Sequence, residues 1–389
     1  MEERRSRLTG RWWMSLPIGL FAVALQAGGT IASAQLPEDR SGAWCRAGEF
    51  PGFIPMPAGI TPRGVAVDKV GNVYVSVGQV LVADNKEHIR IERFTPCGGG
   101  PSFVADIGQG TIGGLMVTAN GDLYVAMAAG VDRGVWRVDR EGQKELLPGS
   151  NLIFFANGLA FDNRGTLYVT ESVTMGRIEN GKPAGPGGIW RIPRGGLAEL
   201  WMRDDLLTGT GALGQPVWIG ANGIAYYRGN LYVTNTEKGT LLRIPVQPDG
   251  SPGVPEVWDL QEVGESPLAG IPGFPPPMGD GLVLDVHGNP YVALLTRSAV
   301  VRIDARDLSQ ETVAVFMAKW PFGPPPDAPL DFPASLFFGT GKGERTSLFV
   351  THLGMGAKLV PQLPVIGTVP WAGPGLVKID AGVPGRPIH

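Results

Sequence analysis

One phrase recurs six times along this chain, and every copy has the same three parts. An apolar run is followed by a Gly-containing polar turn and then by a second β-rich run, usually centred on Tyr-Val. This order predicts a β-hairpin, because turn residues between two apolar segments reverse the chain. A hairpin repeated at intervals of roughly 45–65 residues indicates one supersecondary unit used several times. The copies begin near Arg63, Gly113, Asn157, Asn222, Asp280 and Ser335.

Each hairpin continues into a third strand, and several copies continue into a fourth. The third strands are predicted to begin at Ile89, Gly134, Gly188, Thr240, Ala299 and Gly375. The fourth strands are predicted to begin at Ser102, Leu197, Pro255 and Thr312. Four antiparallel strands repeated radially are typical of a β-propeller. The sequence therefore predicts an all-β fold, a six-bladed β-propeller of four-stranded antiparallel blades.

The sixth repeat has room for three strands, because its third strand, Gly375 to Asp380, lies near the end of the chain. The segment at about residues 49–56 precedes the first repeat and has no partner in a repeat of its own. We expect it to supply the outer strand of the last blade, which removes an open sheet edge. Residues 35–389 are then predicted to form a single propeller domain.

The first 34 residues have the pattern of a signal peptide. Four arginines between residues 4 and 11 precede an apolar stretch from Trp12 to Ala24, and Ala32-Ser33-Ala34 is a small-residue cleavage site. This order predicts cleavage after Ala34 and export to the periplasm or the cell exterior. An uncleaved anchor is the alternative. In an exported chain the two cysteines, Cys45 and Cys97, favour a disulfide over two buried thiols.

Charge and hydropathy narrow the classes of partner. The net charge is −3 and no basic block occurs beyond the N-terminus, so little supports binding to nucleic acid. After the N-terminal segment no run approaches the roughly 18 apolar residues of a membrane helix, so no membrane span is expected in the mature protein. The oligomeric state is left open by the sequence.

Polar residues stand just before the repeated Gly in three successive copies, at Asn157, Asn222 and Asp280. In a propeller these positions are predicted to converge around the central channel, together with Arg63 from the first copy. Two amides and one carboxylate aimed at one axis resemble the oxygen ligands that Ca²⁺ takes in proteins. The alternative is that each residue caps its own strand end or turn.

The motifs Ala156-Asn157-Gly158, Ala221-Asn222-Gly223 and Gly279-Asp280-Gly281 resemble, in order and spacing, those of a known propeller family. It is the senescence marker protein/gluconolactonase/luciferin-regenerating enzyme (regucalcin-like) family of six-bladed propellers. The resemblance extends over about residues 60–380. It implies an axial divalent cation held by a first-blade Glu, two Asn and an Asp, and hydrolysis of a lactone or ester by metal-activated water. Asn157, Asn222 and Asp280 are then implied metal ligands for Ca²⁺, with Zn²⁺ or Mn²⁺ as alternatives.

The chain departs from this pattern at one ligand position, where Arg63 stands in place of the first-blade Glu. An arginine cannot ligate a cation and repels one nearby. Glu171, at the end of a second strand, is the predicted replacement ligand, and Glu237 is a lesser candidate. Phe154 and Phe155, which precede the first Asn motif, favour a less polar substrate than a sugar lactone.

Three residues are candidates for catalysis. Asp280 is the predicted base as well as a ligand. Arg63 is predicted to stabilise an oxyanion or to hold a substrate carboxylate. His352 ends a second strand on the same face and is a candidate acid–base group, with an exposed loop histidine as the alternative.

The sequence supports competing functions, because propellers host many unrelated activities. The first is an exported metal-dependent hydrolase acting on a small-molecule lactone or ester, which the Asn157, Asn222 and Asp280 set favours. The second is a non-catalytic propeller that binds a small ligand or a protein through its loop-rich face, which Arg63 favours. A third is the chemistry of strictosidine-synthase-like propellers, for which Glu171 is the candidate acidic residue.

Overall fold

The computed structural model describes residues 50–57, 59–81, 85–173, 178–179, 182–183, 187–212, 218–264, 266, 269, 275–315, 330–355 and 373–388. Within these ranges the chain forms β-strands and three short 3₁₀ turns. The turns are η1 (Ser150–Leu152), η2 (Asp205–Leu207) and η3 (Leu295–Arg297). No helix in this part of the chain is long and apolar enough to span a membrane.

The strands of the first half of the chain form three blades, preceded by β1 (Phe53–Pro55). Blade 1 contains β2 (Ile60–Val67), β3 (Val73–Leu81), β4 (Lys86–Phe94) and β5 (Ser102–Gln109). Blade 2 contains β6 (Thr111–Val117), β7 (Leu123–Ala128), β8 (Gly134–Val138) and β9 (Lys144–Leu146). Blade 3 contains β10 (Ala156–Phe161), β11 (Leu167–Glu171), β14 (Gly187–Ile192) and β15 (Glu199–Asp204), and a small hairpin, β12 (Ile178–Glu179) and β13 (Lys182–Pro183), interrupts it.

The second half of the chain forms the other three blades. Blade 4 contains β16 (Ala221–Tyr227), β17 (Asn230–Asn235), β18 (Thr240–Pro245) and β19 (Glu256–Asp259). Blade 5 contains β20 (Gly279–Leu284), β21 (Pro290–Leu294), β22 (Ala299–Ile303) and β23 (Gln310–Val315). Blade 6 contains β24 (Pro333–Phe338), β25 (Ser347–Leu353), β26 (Pro374–Asp380) and β1. The predicted six-bladed propeller of four-stranded antiparallel blades is confirmed.

The last blade is closed by a strand from the N-terminal side, as the repeats predict. β1 pairs antiparallel with β26, with Phe53 opposite Val377 and Ile54 opposite Leu376. This pairing covers the edge that β26 would otherwise expose. Cys97 is disulfide-bonded, and the other cysteine of the chain, Cys45, lies outside the described residues, as do the predicted signal peptide and its cleavage site.

The first strands of the blades form the central ring, since each one contacts the first strands of both neighbouring blades. Every one of them carries a β-bulge at the repeated motif. In blade 4, Ala221 pairs with Asn235 and Ile224 pairs with Val233, so Asn222 and Gly223 together oppose Thr234. In the other five first strands the strand register shifts between residues 62 and 65, 112 and 115, 156 and 159, 279 and 282, and 333 and 335. A bulge re-aims the extra residue out of the regular alternation.

The motif glycines are required by close approach between blades. A Cβ on Gly114 would lie 2.7 Å from the carbonyl oxygen of Asn157, and one on Gly281 would lie 2.6 Å from that of Ala334. Gly158 and Gly223 meet the carbonyl oxygens of the next blade in the same way. Side chains cannot share that space with the neighbouring backbone, which explains why the motif returns with Gly.

The core is divided among the gaps between neighbouring blades. Each gap is filled by its own cluster of buried apolar side chains, drawn from the two blades that face it. Strand alternation sends successive residues to opposite faces of a blade, so every blade contributes to two clusters. Tyrosines of the Tyr-Val runs pack edge-to-face in these gaps, for example Tyr291 against Phe338, with ring centroids 5.2 Å apart.

The C-terminal segment after β26 crosses the face that carries the hairpin turns. Pro384 accepts a backbone hydrogen bond from Val286 in blade 5 at 3.1 Å. Arg386 donates to the carbonyl oxygen of Tyr226 in blade 4, and Ile388 packs against the cluster between blades 1 and 2. The segment therefore spans the end of the propeller opposite to the convergent motif residues.

Candidate functional site

The bulges bring polar side chains from three successive blades into one group. Asn157 Nδ2 donates to Asn222 Oδ1 at 2.7 Å. The amide of Asn222 lies close enough to the Asp280 carboxylate to stabilise its charge. Arg63, from blade 1, is close enough for its charge to act on Asp280. We call Arg63, Asn157, Asn222 and Asp280 the axial cluster.

Two hydroxyl groups anchor the amides of the axial cluster. Ser172 Oγ donates to the carbonyl oxygen of Ala221 at 2.5 Å and accepts from Asn157 Nδ2 at 3.0 Å. Thr236 Oγ1 donates to the carbonyl oxygen of Gly279 at 2.8 Å and accepts from Asn222 Nδ2 at 2.9 Å. A hydroxyl has one proton to donate. Because both protons go to carbonyl oxygens of the next blade, each hydroxyl oxygen must accept, and the amide atom facing it must be nitrogen.

The direction of the whole chain of amides follows from these anchors. An amide nitrogen carries two donors and the amide oxygen is an acceptor. Asn222 donates through its nitrogen to Thr236, while its oxygen accepts from Asn157. Assignments of amide nitrogen and oxygen ordinarily rest on the surrounding hydrogen bonds, and here those bonds agree at every step. The amide nitrogen of each Asn is therefore held toward a hydroxyl group, and the oxygen of Asn222 is held toward Asn157.

A second tier of hydroxyls stabilises the backbone below the cluster. The bulge adds a backbone N–H that the ladder cannot pair, and such groups need a partner when buried. Gly158 N donates to Thr170 Oγ1 at 2.8 Å, and Thr170 Oγ1 donates to the carbonyl oxygen of Asn222 at 2.6 Å. Thr234 donates to the carbonyl oxygen of Asp280 at 2.7 Å. These bonds join blade to blade directly behind the motif residues.

Asp280 combines partial accessibility with poor solvation. The side chain is half-buried, but the protein that surrounds it removes much of the water that would stabilise its charge. This burial raises the pKa of Asp280 to about 7, and the attraction of Arg63 and the amide of Asn222 oppose the shift. A carboxyl group of this kind exchanges a proton near neutral pH.

Arg63 is placed between two carboxyl groups. Burial lowers the pKa of its guanidinium, and the charges of Asp280 and Glu87 oppose that shift. Glu87 stands near the start of β4 and is exposed as a residue. The protein around its carboxyl group still removes part of its hydration, which raises the pKa of Glu87, and the attraction of Arg63 opposes this shift. The sequence prediction did not select Glu87. Its position near the start of the third strand of blade 1 was the available signal.

The two glutamates considered as replacement ligands lie away from the axial cluster. Glu171 accepts from Phe154 N at 3.1 Å and from Trp190 Nε1 at 2.9 Å, and Arg203 Nη2 lies 3.5 Å from it. All three partners belong to blade 3 or its entry. Glu237 is buried and accepts from the backbone N–H groups of Thr210 and Gly211 at 2.6 and 2.5 Å. The structure therefore brings neither one to Asp280.

His352 is also separated from the axial cluster. It lies in β25, fully buried, and stacks on Phe53 with ring centroids 5.5 Å apart. Among the described residues no group forms a hydrogen bond of good geometry with either ring nitrogen, and the backbone of Gly373 has only a weak effect on the ring. Burial lowers the pKa of His352 to about 4. Its neighbour Thr351 points the other way and donates to the carbonyl oxygen of Arg63. The alternative of an exposed loop histidine does not describe this residue.

Four aromatic residues from the long segments between strands lie outside the described residues. They are Phe274, Trp320, Phe322 and Trp371.

The axial cluster fits a divalent cation poorly. Ca²⁺ takes six to eight oxygen ligands, with carboxylates prominent among them. The cluster offers one carboxylate, and the oxygen of Asn222 is already used by Asn157. Arg63 adds a positive charge where a cation would stand. Elsewhere in the described ranges, no group of three or more His, Cys, Asp or Glu side chains is placed to hold a metal ion.

Comparisons with known proteins agree with this architecture. No family model matches the chain, and no curated protein matches it in sequence. A luciferin-regenerating enzyme superposes with a TM-score of 0.55 at 14% identity, over 84% of this chain and 94% of that one. A calcium-binding regucalcin from Agrobacterium tumefaciens gives 0.53 at 17% identity, over 87% and 96%. A putative gluconolactonase gives 0.48 at 16% identity, over 86% and 96%.

The chain shares the fold of luciferin-regenerating enzyme and regucalcin. The resemblance predicted from the repeats is thereby confirmed in the architecture. At these identities a shared fold does not transfer a substrate or a ligand. The chemistry of this chain has to be argued from its own axial residues.

Proposed function

We propose that the protein is a hydrolase of a lactone or ester, with the reaction at the axial cluster. The observation that carries this proposal is the half-buried Asp280 carboxyl, whose charge is stabilised by the guanidinium of Arg63 and by the amide of Asn222. A base and a positive charge that act on each other are the pair that acyl transfer to water requires.

The residues divide the reaction as follows. Asp280 accepts a proton from a water molecule as the water oxygen attacks the carbonyl carbon. The carbonyl oxygen becomes an oxyanion, which Arg63 stabilises. Asp280 then returns the proton to the leaving alkoxide as the ester bond breaks. Its pKa near 7 suits both transfers at neutral pH. The amide of Asn222 stabilises the charged form of the carboxyl group.

Two parts of the sequence-based hypothesis remain proposals. Export through cleavage after Ala34 is proposed from the N-terminal pattern. Metal dependence was expected from the family resemblance, and regucalcin, a structural neighbour, is a calcium-binding protein. The donors of the axial cluster support the metal-free mechanism given above, so no step is assigned to a cation.

Binding of a ligand without turnover is the second candidate function. The observation that favours it is Arg63, since a guanidinium paired with carboxylates also holds a polar ligand in place. Both candidates place the ligand at the same residues, so one set of variants tests them.

The test is hydrolysis of a panel of γ- and δ-lactones and 4-nitrophenyl esters by the mature chain and by Asp280→Asn. Loss of a general base costs on the order of 10²–10⁴-fold in rate, and we expect a loss of that size. Asp249→Asn is the matched control, because Asp249 is an exposed carboxylate in a distant turn. Equal turnover by wild type and Asp280→Asn would refute the proposal. Absence of turnover with a ligand-induced rise in melting temperature that Asp280→Asn abolishes would favour binding alone.

A further inference from the structure

The direction of the amide groups in the axial cluster bears on what the site can bind. Thr236 and Ser172 each give their single proton to a carbonyl oxygen of the neighbouring blade. They therefore hold the nitrogen atoms of Asn222 and Asn157 toward themselves. Thr236 is fully buried and Ser172 is nearly so, which leaves these hydroxyls little freedom to choose other partners.

Ligation of a cation by Asn222 would require this arrangement to reverse. The oxygen of Asn222 would have to leave Asn157 and turn toward the channel. The nitrogen would then lose Thr236 as an acceptor, and a buried N–H without an acceptor is costly. The interblade hydrogen bond from Thr236 to Gly279 works against such a reversal.

Charge leads to the same conclusion from a different observation. The charge of Asp280 is already stabilised by a cation, the guanidinium of Arg63, and the charge of Glu87 acts on the same guanidinium. A divalent ion at this place would be repelled by Arg63 at short range. Of the side-chain oxygens in the axial cluster, those of Asp280 and Asn157 remain as donors, so water would have to supply most of the six to eight ligands that Ca²⁺ takes.

We infer that the axial cluster is a metal-independent site, in which the guanidinium of Arg63 supplies the positive charge and Thr236 holds the amide of Asn222 in a direction that keeps its oxygen from a cation. Thr236 is a positioning residue in this arrangement. The inference concerns the same cluster as the proposed hydrolase, but it does not depend on turnover.

The test is calorimetric titration of the metal-stripped mature chain with Ca²⁺, Mn²⁺ and Zn²⁺, beside Asp280→Asn. We expect the wild type and Asp280→Asn to give the same heats, which means that no ion binds at Asp280. Stoichiometric binding by wild type at micromolar affinity or better, lost in Asp280→Asn, would overturn the inference. The titration contains no substrate, so its result does not depend on whether the protein is a hydrolase. An inactive protein would refute the proposed hydrolase activity and leave this inference unchanged.

Arg63→Glu and Arg63→Gln test whether the positive charge of Arg63 excludes a cation, because removing that charge should allow Ca²⁺ to bind. Replacing the guanidinium by a carboxylate is expected to raise affinity for Ca²⁺ at least 100-fold, and this gain should disappear when Asp280→Asn is added. Arg63→Gln removes the charge with less change of shape, and a smaller gain in the same direction is expected. Melting temperatures identify any variant that fails to fold. If a folded Arg63→Glu gains no affinity, Arg63 is not what excludes the ion.

Thr236→Val and Thr236→Ser, each combined with Arg63→Gln, test the amide anchor. Valine removes the acceptor that fixes Asn222, while serine keeps the hydroxyl. We expect the valine double variant to bind Ca²⁺ at least tenfold more tightly than the serine double variant. Equal affinities would show that the amide direction does not contribute to exclusion.

Discussion

The two halves of the central ring have the same backbone and different chemistry. Blades 3, 4 and 5 place Asn157, Asn222 and Asp280 at their bulges, where the two amides are hydrogen-bonded to each other and Asn222 stabilises the charge of Asp280. Blades 6, 1 and 2 place Ala334, Arg63 and Gly113 at the equivalent positions. The motif positions of blades 3, 4 and 5 are all polar. Those of blades 6, 1 and 2 carry one positively charged side chain, Arg63, between two small residues.

This difference shows that the bulge and the side chain have separate roles. The bulge occurs in all six first strands, including those of the apolar positions. It is therefore a property of the scaffold, and the residue that it re-aims determines the chemistry. The polar half also has hydroxyl anchors at Ser172 and Thr236, which the equivalent strand of blade 2 lacks, since that strand carries Ala126 and Ala128.

The variant with the largest expected effect removes the positive charge of Arg63, which belongs to the half of the ring with small residues. Arg63→Gln is expected to lower kcat/KM for ester hydrolysis by about 10²–10³-fold, the usual effect of losing one donor to an oxyanion. Arg63 lowers the pKa of Asp280, so its removal moves the rise of kcat/KM with pH, expected near pH 7, to higher pH. Arg63→Lys keeps the charge and should shift this inflection less. An inflection that moves to lower pH in Arg63→Gln would contradict the assignment of Asp280 as base.

A second test asks whether the scaffold really is the same in both halves. Gly114→Ala lies in the small-residue half, and Gly223→Ala lies in the polar half. In each variant the new methyl meets a carbonyl oxygen of the next blade. Overpacking of this kind costs about 1–3 kcal/mol, and we expect both variants to lose free energy of unfolding in that range, measured by denaturant titration.

Gly264→Ala is the matched control for these glycines, because nothing lies within 4 Å of a Cβ at Gly264. It should stay within about 0.5 kcal/mol of wild type. A large loss at Gly223 with none at Gly114 would mean that the halves differ in packing as well as in chemistry.

The repeats predicted the blades, the closing strand and the ring of motif positions, because each depends on local alternation and turn chemistry. The direction of individual side chains was harder to predict. Thr170 and Ser172 are two residues apart in the second strand of blade 3 and both face blade 4. Glu171 lies between them and therefore faces the other way, so strand parity already argued against it as an axial ligand.

The hydroxyl anchors could not be derived with the same ease. Their role depends on which carbonyl oxygen of the next blade lies opposite Ser172 or Thr236, and that register is set by packing between blades. Glu87 was missed for a related reason. Its effect on Arg63 comes from the approach of two different strands of blade 1 at the mouth of the channel.

The smallest expected effect concerns His352 in blade 6, which parity separates from the axial cluster in the same way as Glu171. Its pKa is lowered to about 4, so the neutral form is favoured in the folded state. The stability that this preference contributes is present above the unfolded pKa of about 6.5 and is lost as pH falls toward 4. His352→Phe keeps a ring against Phe53, so the variant should lose less stability than wild type between pH 6.5 and 4, by at most about 2 kcal/mol at pH 5.

Asp280 contributes the opposite trend, since its raised pKa makes the folded state lose stability as pH rises toward 7. The difference between His352→Phe and wild type isolates the histidine, because the Asp280 contribution is common to both. Parallel curves of unfolding free energy against pH would show that His352 does not titrate as its burial demands. Ester hydrolysis by the same variant tests the sequence-based assignment of His352 as an acid–base group. Loss of turnover with an unchanged melting temperature would show that His352 takes part in the reaction. Blade 6 would then contribute to the chemistry, and the reactive residues would not be confined to blades 3, 4 and 5 and Arg63.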